Sequence, residues 1–151
     1  MGKRKLIFLD IDGVMNSSSG KGPYLSDMET SKLLLLAKLI AVTASLGIVI
    51  SSDRRESNAD MKEKKAAFAE YGIPVIGETR LPNEDDLDDS RGRQIADYLV
   101  DQEEDIDAVL ILDDHDEGIS SYFEEEFLKT NPYYGFDEEA FDTAISILGT
   151  D

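Results

Sequence analysis

Short apolar runs alternate with amphipathic stretches along the chain. The runs are rich in β-branched residues and have the length of buried strands. The stretches between them repeat apolar residues at helical spacing, as 141–148 does near the end of the chain. Such alternation is typical of a parallel sheet covered on both faces by helices. The four strongest predicted strands are 6–11, 48–51, 73–76 and 108–113.

Capping signals predict where the helices begin and end. Ser26 and Glu29 have capping-box spacing, so a helix is expected to start near Ser26 and to stop at Gly47. The segment 57–60 has the same spacing and predicts a second helix. The run 127–130 predicts a fifth strand at an edge of the sheet.

These elements predict an α/β fold: a Rossmann-like, doubly wound, mostly parallel five-stranded sheet with helices on both faces. The chain has 151 residues and no repeat or low-complexity linker, so 1–151 is predicted to be a single domain.

Three of the predicted strands end in polar side chains. The carboxyl ends of parallel strands lie along one edge, where open α/β sheets bind ligands, so these side chains are expected to converge. Asp10 and Asp12 are two residues apart and face the same side of a strand. Their mutual repulsion is costly unless a metal or a shared proton compensates it. The converging residues are Asp10, Asp12, Ser51, Asp113 and Asp114.

The residue types at this edge suit phosphoryl transfer. Asp10 is the candidate nucleophile, because a carboxylate can accept a phosphoryl group covalently. Asp12 can protonate the leaving oxygen and then activate water. Ser51 offers a hydroxyl to a phosphate oxygen, and Arg91, just before a predicted helix, is the best-placed cation.

The carboxylates at this edge also predict a metal site. Hard oxygen ligands favour Mg²⁺, which would offset the repulsion between Asp10 and a phosphate. The candidate ligands are Asp10, Asp12, Asp113 and Asp114.

Four segments together resemble the motifs of the haloacid dehalogenase superfamily of phosphohydrolases. They read, in order, LIFLDIDGV, IVISS, DSRGRQIADYL and VLILDD. The combination of ISSDRR, LDD and TNPYYGFDEEAFDTAISIL resembles a small capless branch that includes domains of RNA-repair proteins and phage relatives.

The resemblance implies the same roles as the chemistry, with the Asp12 backbone carbonyl as a further metal ligand. It leaves two choices open. Either Asp113 or Asp114 can be the direct ligand, and Arg93 competes with Arg91 for the phosphate.

The resemblance also bears on the substrate. Family members often carry a cap domain, but the intervals 13–26 and 78–90 are too short to hold one. We therefore expect an open site and a large or exposed phosphorylated substrate: a nucleic-acid end, a nucleotide or a phosphoprotein. Tyr133 and Tyr134 could stack on a base, although a packed turn is the preferred interpretation. Possible substrate contacts are Ser52, Arg54, Arg55 and Arg93.

Composition narrows the remaining choices. The chain has no cysteine, which excludes thiol nucleophiles and disulfides. No apolar run reaches the roughly 18 residues of a membrane span, so a cytoplasmic protein with no membrane partner is expected. The formal charge of −18 opposes tight binding of nucleic acid, although local arginines and Lys21 could serve a terminus.

Two other functions are compatible with this fold. A receiver-like phosphoacceptor domain also uses a carboxylate and Mg²⁺, but its phosphorylated aspartate ends a later strand than the first. A catalytically idle binding module is the other alternative, and the presence of Asp12 argues against it, since a scaffold needs no acid/base.

Overall fold

The computed structural model describes residues 2–18, 28–51 and 58–150. The capping signals at Ser26 and Ser57 lie outside these residues. The strands are β1 (Lys5–Leu9), β2 (Gly47–Ile50), β3 (Val75–Glu78), β4 (Ala108–Asp113) and β5 (Phe127–Lys129). The helices are α1 (Thr30–Thr43), α2 (Asn58–Glu70), α3 (Arg91–Val100), α4 (Ile119–Tyr122) and α5 (Glu138–Leu148).

All strand pairs are parallel, and the order across the sheet is β3-β2-β1-β4-β5. The chain moves outward from β1 through β2 to β3, then crosses back to β4 and continues to β5. The direction therefore reverses between β1 and β4, and such a switch point is where open α/β sheets bind ligands. The predicted doubly wound sheet is confirmed, with 127–130 supplying the edge strand.

Two apolar clusters cover the two faces of the sheet, because alternate strand residues point to opposite sides. Helices α1, α2 and α5 pack on one face, and α3 and α4 on the other. The first cluster includes Ile7, Leu9, Ile48, Leu36, Phe68 and Phe141; the second includes Leu6, Phe8, Val49, Ile111, Ile95 and Ile119.

Helix α1 begins later and ends earlier than the spacing predicts. Glu29 is its N-cap, and its amide and carboxylate bond to the Met15 carbonyl and the Ser17 hydroxyl, each at 2.8 Å. The helix ends at Thr43, and Ala44 adopts the left-handed conformation with φ 55°. Gly47, the predicted stop, instead begins β2, where a side chain would collide with the Pro74 carbonyl.

Strand β3 lies two residues beyond its predicted position. The Ile73 amide donates to the Phe68 carbonyl at 2.9 Å, which closes the end of α2. Pro74 has no amide hydrogen, and only its carbonyl joins the sheet, accepting from the Ile48 amide at 2.9 Å. Helix α3 ends at Val100, which is 81% exposed.

The described residues form no separate cap domain, as predicted. The segment between β3 and α3 is a loop of turns held by Arg80, whose guanidinium donates to both Asp89 carboxylate oxygens at 2.8 and 2.7 Å. These hydrogen bonds hold the pKa of Asp89 well below its usual range. Among the helices of the described segments, none has the length and apolar character needed to cross a membrane.

The left-handed Ala44 gives a stability prediction. Ala44 is exposed and loses no packing when replaced, so Ala44→Gly relieves backbone strain and is expected to raise the free energy of unfolding by about 0.5–1 kcal/mol. Ala41→Gly, inside α1, is the matched control and should lower it by a similar amount. Urea denaturation measures both; a destabilised Ala44→Gly protein would contradict the strain argument.

Candidate active site

Backbone hydrogen bonds continue the sheet by one residue past the strand ends. The Asp10 amide donates to the Leu112 carbonyl at 3.0 Å, and the Ser51 amide donates to the Leu9 carbonyl at 2.8 Å. Leu9 pairs with both Ile50 and Leu112, so the residues that follow these three positions are neighbours. Asp10, Ser51 and Asp113 therefore sit side by side at the switch point, as the sequence predicts.

Asp10 and Asp113 share one buried guanidinium. Arg91 Nη1 donates to Asp113 Oδ2 and lies 3.8 Å from Asp10 Oδ2. All three side chains are less than 10% exposed. Burial and then the Asp113 charge raise the pKa of Asp10 to about 9, and Arg91 only partly opposes them. Burial also raises the pKa of Asp113. The single positive charge of Arg91 therefore does not offset the cost of burying both carboxylates in ionised form.

The start of α3 explains why Arg91 reaches the site. Gly92 lies against the backbone of Gly118, where a side chain would clash, and its amide donates to the Glu117 carbonyl at 3.4 Å. This close approach directs Arg91 inward, and its Nη2 lies 3.1 Å from Glu117 Oε2. Arg93 instead contacts Asp86 at 2.9 Å and is 41% exposed. The structure thus brings Arg91, and not Arg93, to Asp10.

Ser51 has a buried hydroxyl that finds no hydrogen-bond partner among the described residues. The residue is 2% exposed, and no hydrogen bond to its Oγ is found within the described part of the chain. An unsatisfied buried hydroxyl costs about 1–3 kcal/mol, which is the kind of cost that a bound ligand removes.

Asp12 lies on the turn after β1 and is exposed. Its Oδ1 accepts from Asn16 Nδ2 at 3.1 Å, and Asn16 Oδ1 accepts from the Gly13 amide at 2.9 Å. Thr130 Oγ1 donates to the Gly13 carbonyl at 2.9 Å, which ties this turn to the end of β5. Asp12 is thus oriented by its own loop while it remains open to solvent.

Asp113, Asp114 and His115 form a group that can hold a metal ion. One ligand atom from each lies within 4.8 Å of the others. His115 Nδ1 is 3.0 Å from Asp114 Oδ1, and the His115 amide donates to Asp113 Oδ1 at 3.0 Å. The Asp114 side chain packs against Gly13, where an added Cβ would lie 2.7 Å from Cγ of Asp114.

This arrangement fits Mg²⁺. The oxygen donors of Asp10, Asp113 and Asp114 are of the type the ion prefers. Burial, and then the Asp113 charge, raise the pKa of Asp10, and a divalent cation would favour its ionised form. The Asp114 side chain also raises the pKa of Asp10, so the acid at the end of β1 and the β4 group influence one another.

Sequence reasoning missed several residues of this site. Asn16 lies four residues after Asp12, a separation at which a local side-chain hydrogen bond can form. The sequence alone could therefore have indicated its contact with Asp12. Glu117, Thr130 and His115 gave none, because their roles depend on contacts made by folding. Of the predicted contacts, Lys21, Ser52, Arg54 and Arg55 lie outside the described residues.

Because these carboxylates are buried close together, we expect that removal of one of their charges stabilises the folded protein. Asp10 has an unfolded pKa near 3.8 and a folded pKa of about 9, so the folded chain retains a proton that the unfolded chain loses between these values. Stability of the metal-free protein should therefore fall as pH rises from 4 to 9. Asp10→Asn removes this loss and is expected to stabilise the protein by about 1–2 kcal/mol at pH 8 and less at pH 5.

Thermal unfolding in a chelator, at both pH values, measures this effect. Asp105→Asn, an exposed carboxylate on the surface, is the control and should show no such gain. An Asp10→Asn protein that is no more stable than wild type at pH 8 would contradict the proposed repulsion.

Comparison with known proteins adds the family. The model of the HAD domain in Swiss Army Knife RNA repair proteins matches residues 6–141, a segment that contains Asp10, Asp12, Ser51, Arg91 and the acidic end of β4. No curated protein matches the chain significantly. The match supports phosphohydrolase chemistry of the HAD type in general. The chain belongs to the haloacid dehalogenase (HAD) superfamily, in the family of HAD domains of Swiss Army Knife RNA repair proteins.

Proposed function

We propose that the protein is a Mg²⁺-dependent phosphomonoesterase that works through an aspartyl-phosphate on Asp10. The observation that carries this proposal is the arrangement at the switch point. Asp10 lies beside a buried guanidinium on one side and the Ser51 hydroxyl on the other, and no other described residue bonds to that hydroxyl. A phosphate group supplies the anion and the acceptor oxygens that this arrangement lacks.

Phosphate binding uses Ser51 and Arg91. The Ser51 hydroxyl donates to one phosphate oxygen, which satisfies its buried Oγ. Arg91 pairs with another phosphate oxygen, since the guanidinium geometry suits phosphate. Of the contacts of Arg91, the one with the solvent-accessible Glu117 is the most easily replaced by a contact with phosphate. When bound at the acidic group, Mg²⁺ would neutralise the charge that otherwise separates Asp10 from the phosphate.

The first chemical step transfers the phosphoryl group to the protein. An oxygen of ionised Asp10 forms a bond to phosphorus as the bond to the leaving oxygen breaks. Asp12, in its protonated form, gives its proton to that oxygen, so the product leaves as an alcohol. Asn16 holds the Asp12 carboxyl in place through Oδ1 and leaves its other oxygen for the proton.

The second step restores the protein. Asp12, now ionised, takes a proton from a water molecule, and the resulting hydroxide attacks phosphorus. The acyl-phosphate bond breaks, Asp10 leaves as a carboxylate, and inorganic phosphate departs. Because the described residues hold no cap over Asp12, which is exposed, we propose that the substrate is large or carries its phosphate at an exposed end.

Substitution of the two acids separates the two steps. Asp10→Asn is expected to abolish phosphatase activity with Mg²⁺. Asp12→Asn retains the Asn16 contact but not the proton, so turnover should fall about 10²–10⁴-fold while phosphorylated Asp10 accumulates. Steady-state assays and acid-quenched labelling with a ³²P substrate measure both effects. Activity that survives Asp10→Asn would overturn the covalent mechanism, and stable labelling without turnover in wild type would favour a receiver-like domain.

The two neighbouring arginines form a matched pair. Arg91→Lys keeps the charge but loses the bidentate geometry, and we expect kcat/KM to fall about 10-fold or more. Arg93→Lys changes a surface contact with Asp86 and should leave kcat/KM within about twofold of wild type. Phosphatase kinetics with unfolding curves for both variants measure this. Equal losses in the two variants would contradict the role given to Arg91.

A further inference from the structure

We propose that Tyr133 and Tyr134 form a platform that binds the nucleobase of the substrate, next to the phosphate that Asp10 attacks. This inference rests on the proposed function and adds a specificity-determining site to it. Both rings are about half exposed, at 51% and 54%, in place of the packed turn that the sequence favours. Their centroids are 4.9 Å apart with the ring planes nearly perpendicular, so each ring braces the other.

The turn that carries these rings is built rigidly. Asn131 Oδ1 accepts from the Tyr133 amide at 2.9 Å, and the Asn131 carbonyl accepts from the amides of Tyr134 and Gly135 at 3.0 and 2.8 Å. Asn131 thus fixes the backbone on which both rings stand. A stacking surface that is ordered beforehand loses little entropy when a planar ligand binds.

The same turn is attached to the catalytic loop. The Phe136 amide donates to the Val14 carbonyl at 2.7 Å, and the Ser18 amide donates to the Pro132 carbonyl at 3.1 Å. The chain before the turn bonds to the site as well, because the Thr130 amide donates to the Asp113 carbonyl at 2.9 Å. Tyr133 follows Thr130 by three residues, a reach of at most about 10 Å. The backbone of the turn is therefore attached to the edge of the sheet that carries Asp10, and the proposal places the two rings at the mouth of the site.

The cleft beneath Tyr134 favours a nucleobase over a second phosphate. It has a volume of about 490 Å³, extends along β5, and has Leu128 and Ala140 among its apolar lining. Its charged groups are Lys129, Asp137 and Glu139, so two carboxylates outweigh one ammonium group. These carboxylates can accept hydrogen bonds from exocyclic amines. The net charge of −18 likewise favours recognition of one terminal base over tracking of a long backbone.

Substrates with and without a base provide the test. The substrates are a nucleoside monophosphate, a short single-stranded oligonucleotide with one terminal phosphate, and ribose 5-phosphate as the base-free substrate. Tyr133→Ala/Tyr134→Ala is expected to lower kcat/KM about 10-fold or more for one or both base-containing substrates and to leave ribose 5-phosphate within about twofold. Comparison of the first two substrates distinguishes a free nucleotide from a nucleic-acid end.

Two controls keep a structural effect apart from a recognition effect. Tyr122→Ala removes an equally exposed ring at the end of α4, away from the turn, and should change no substrate ratio. Tyr133→Trp with Tyr134→Phe should restore the preference, because stacking needs the aromatic face and not the hydroxyl. Unfolding curves check that the double alanine variant remains folded.

The outcomes separate this inference from the proposed function. Equal losses for substrates with and without a base, or none for either, would overturn the platform while phosphatase activity stands. If no substrate is hydrolysed, the proposed function fails, and the platform is judged by binding alone. Tyrosine ring resonances that shift with a nucleoside monophosphate, but not with ribose 5-phosphate, would support it; no shift would overturn it.

Discussion

The buried contact of Arg91 with Asp10 and Asp113 is the interaction on which the site depends. Burying carboxylates without a partner is too costly for a folded protein, and one guanidinium between them lowers that cost without removing it. The raised pKa of Asp10 reflects the part of this cost that Arg91 does not remove. A further cation bound beside these carboxylates would lower that cost, and an acceptor beside the buried Ser51 hydroxyl would satisfy it.

The elements around this contact position it from opposite directions. Helix α3 brings Arg91 inward because Gly92 allows its first turn to meet the backbone at Gly118. The turn after β1 is fixed from the other side, where the Thr130 hydroxyl bonds to the Gly13 carbonyl. The end of β5 and the loop after β1 are therefore bonded to one another. The same loop bonds to the turn at 131–135, which is why the proposed base platform belongs with the site.

Much of this could be predicted from local patterns, and the errors have local causes. The number of strands, their parallel arrangement and the acids at the ends of β1 and β4 agree with the prediction, because strand ends in a parallel sheet share one edge. The limits of α1 do not agree with it, because Glu29 bonds to the loop before it and Ala44 takes a conformation that glycine usually supplies. Strand β3 begins after Pro74, because the Ile73 amide closes the end of α2 and Pro74 has no amide hydrogen to donate to the sheet.

The sequence by itself determined the order of strands and helices, the family, and the residues that stand at the catalytic edge, since periodicity and motif spacing are properties of neighbouring residues. Only the tertiary structure decided that Arg91 reaches Asp10 while Arg93 faces Asp86, and that Tyr133 and Tyr134 stand exposed. These outcomes depend on contacts between segments far apart in the chain. The packing of whole elements sets such contacts, and no short stretch of sequence encodes them.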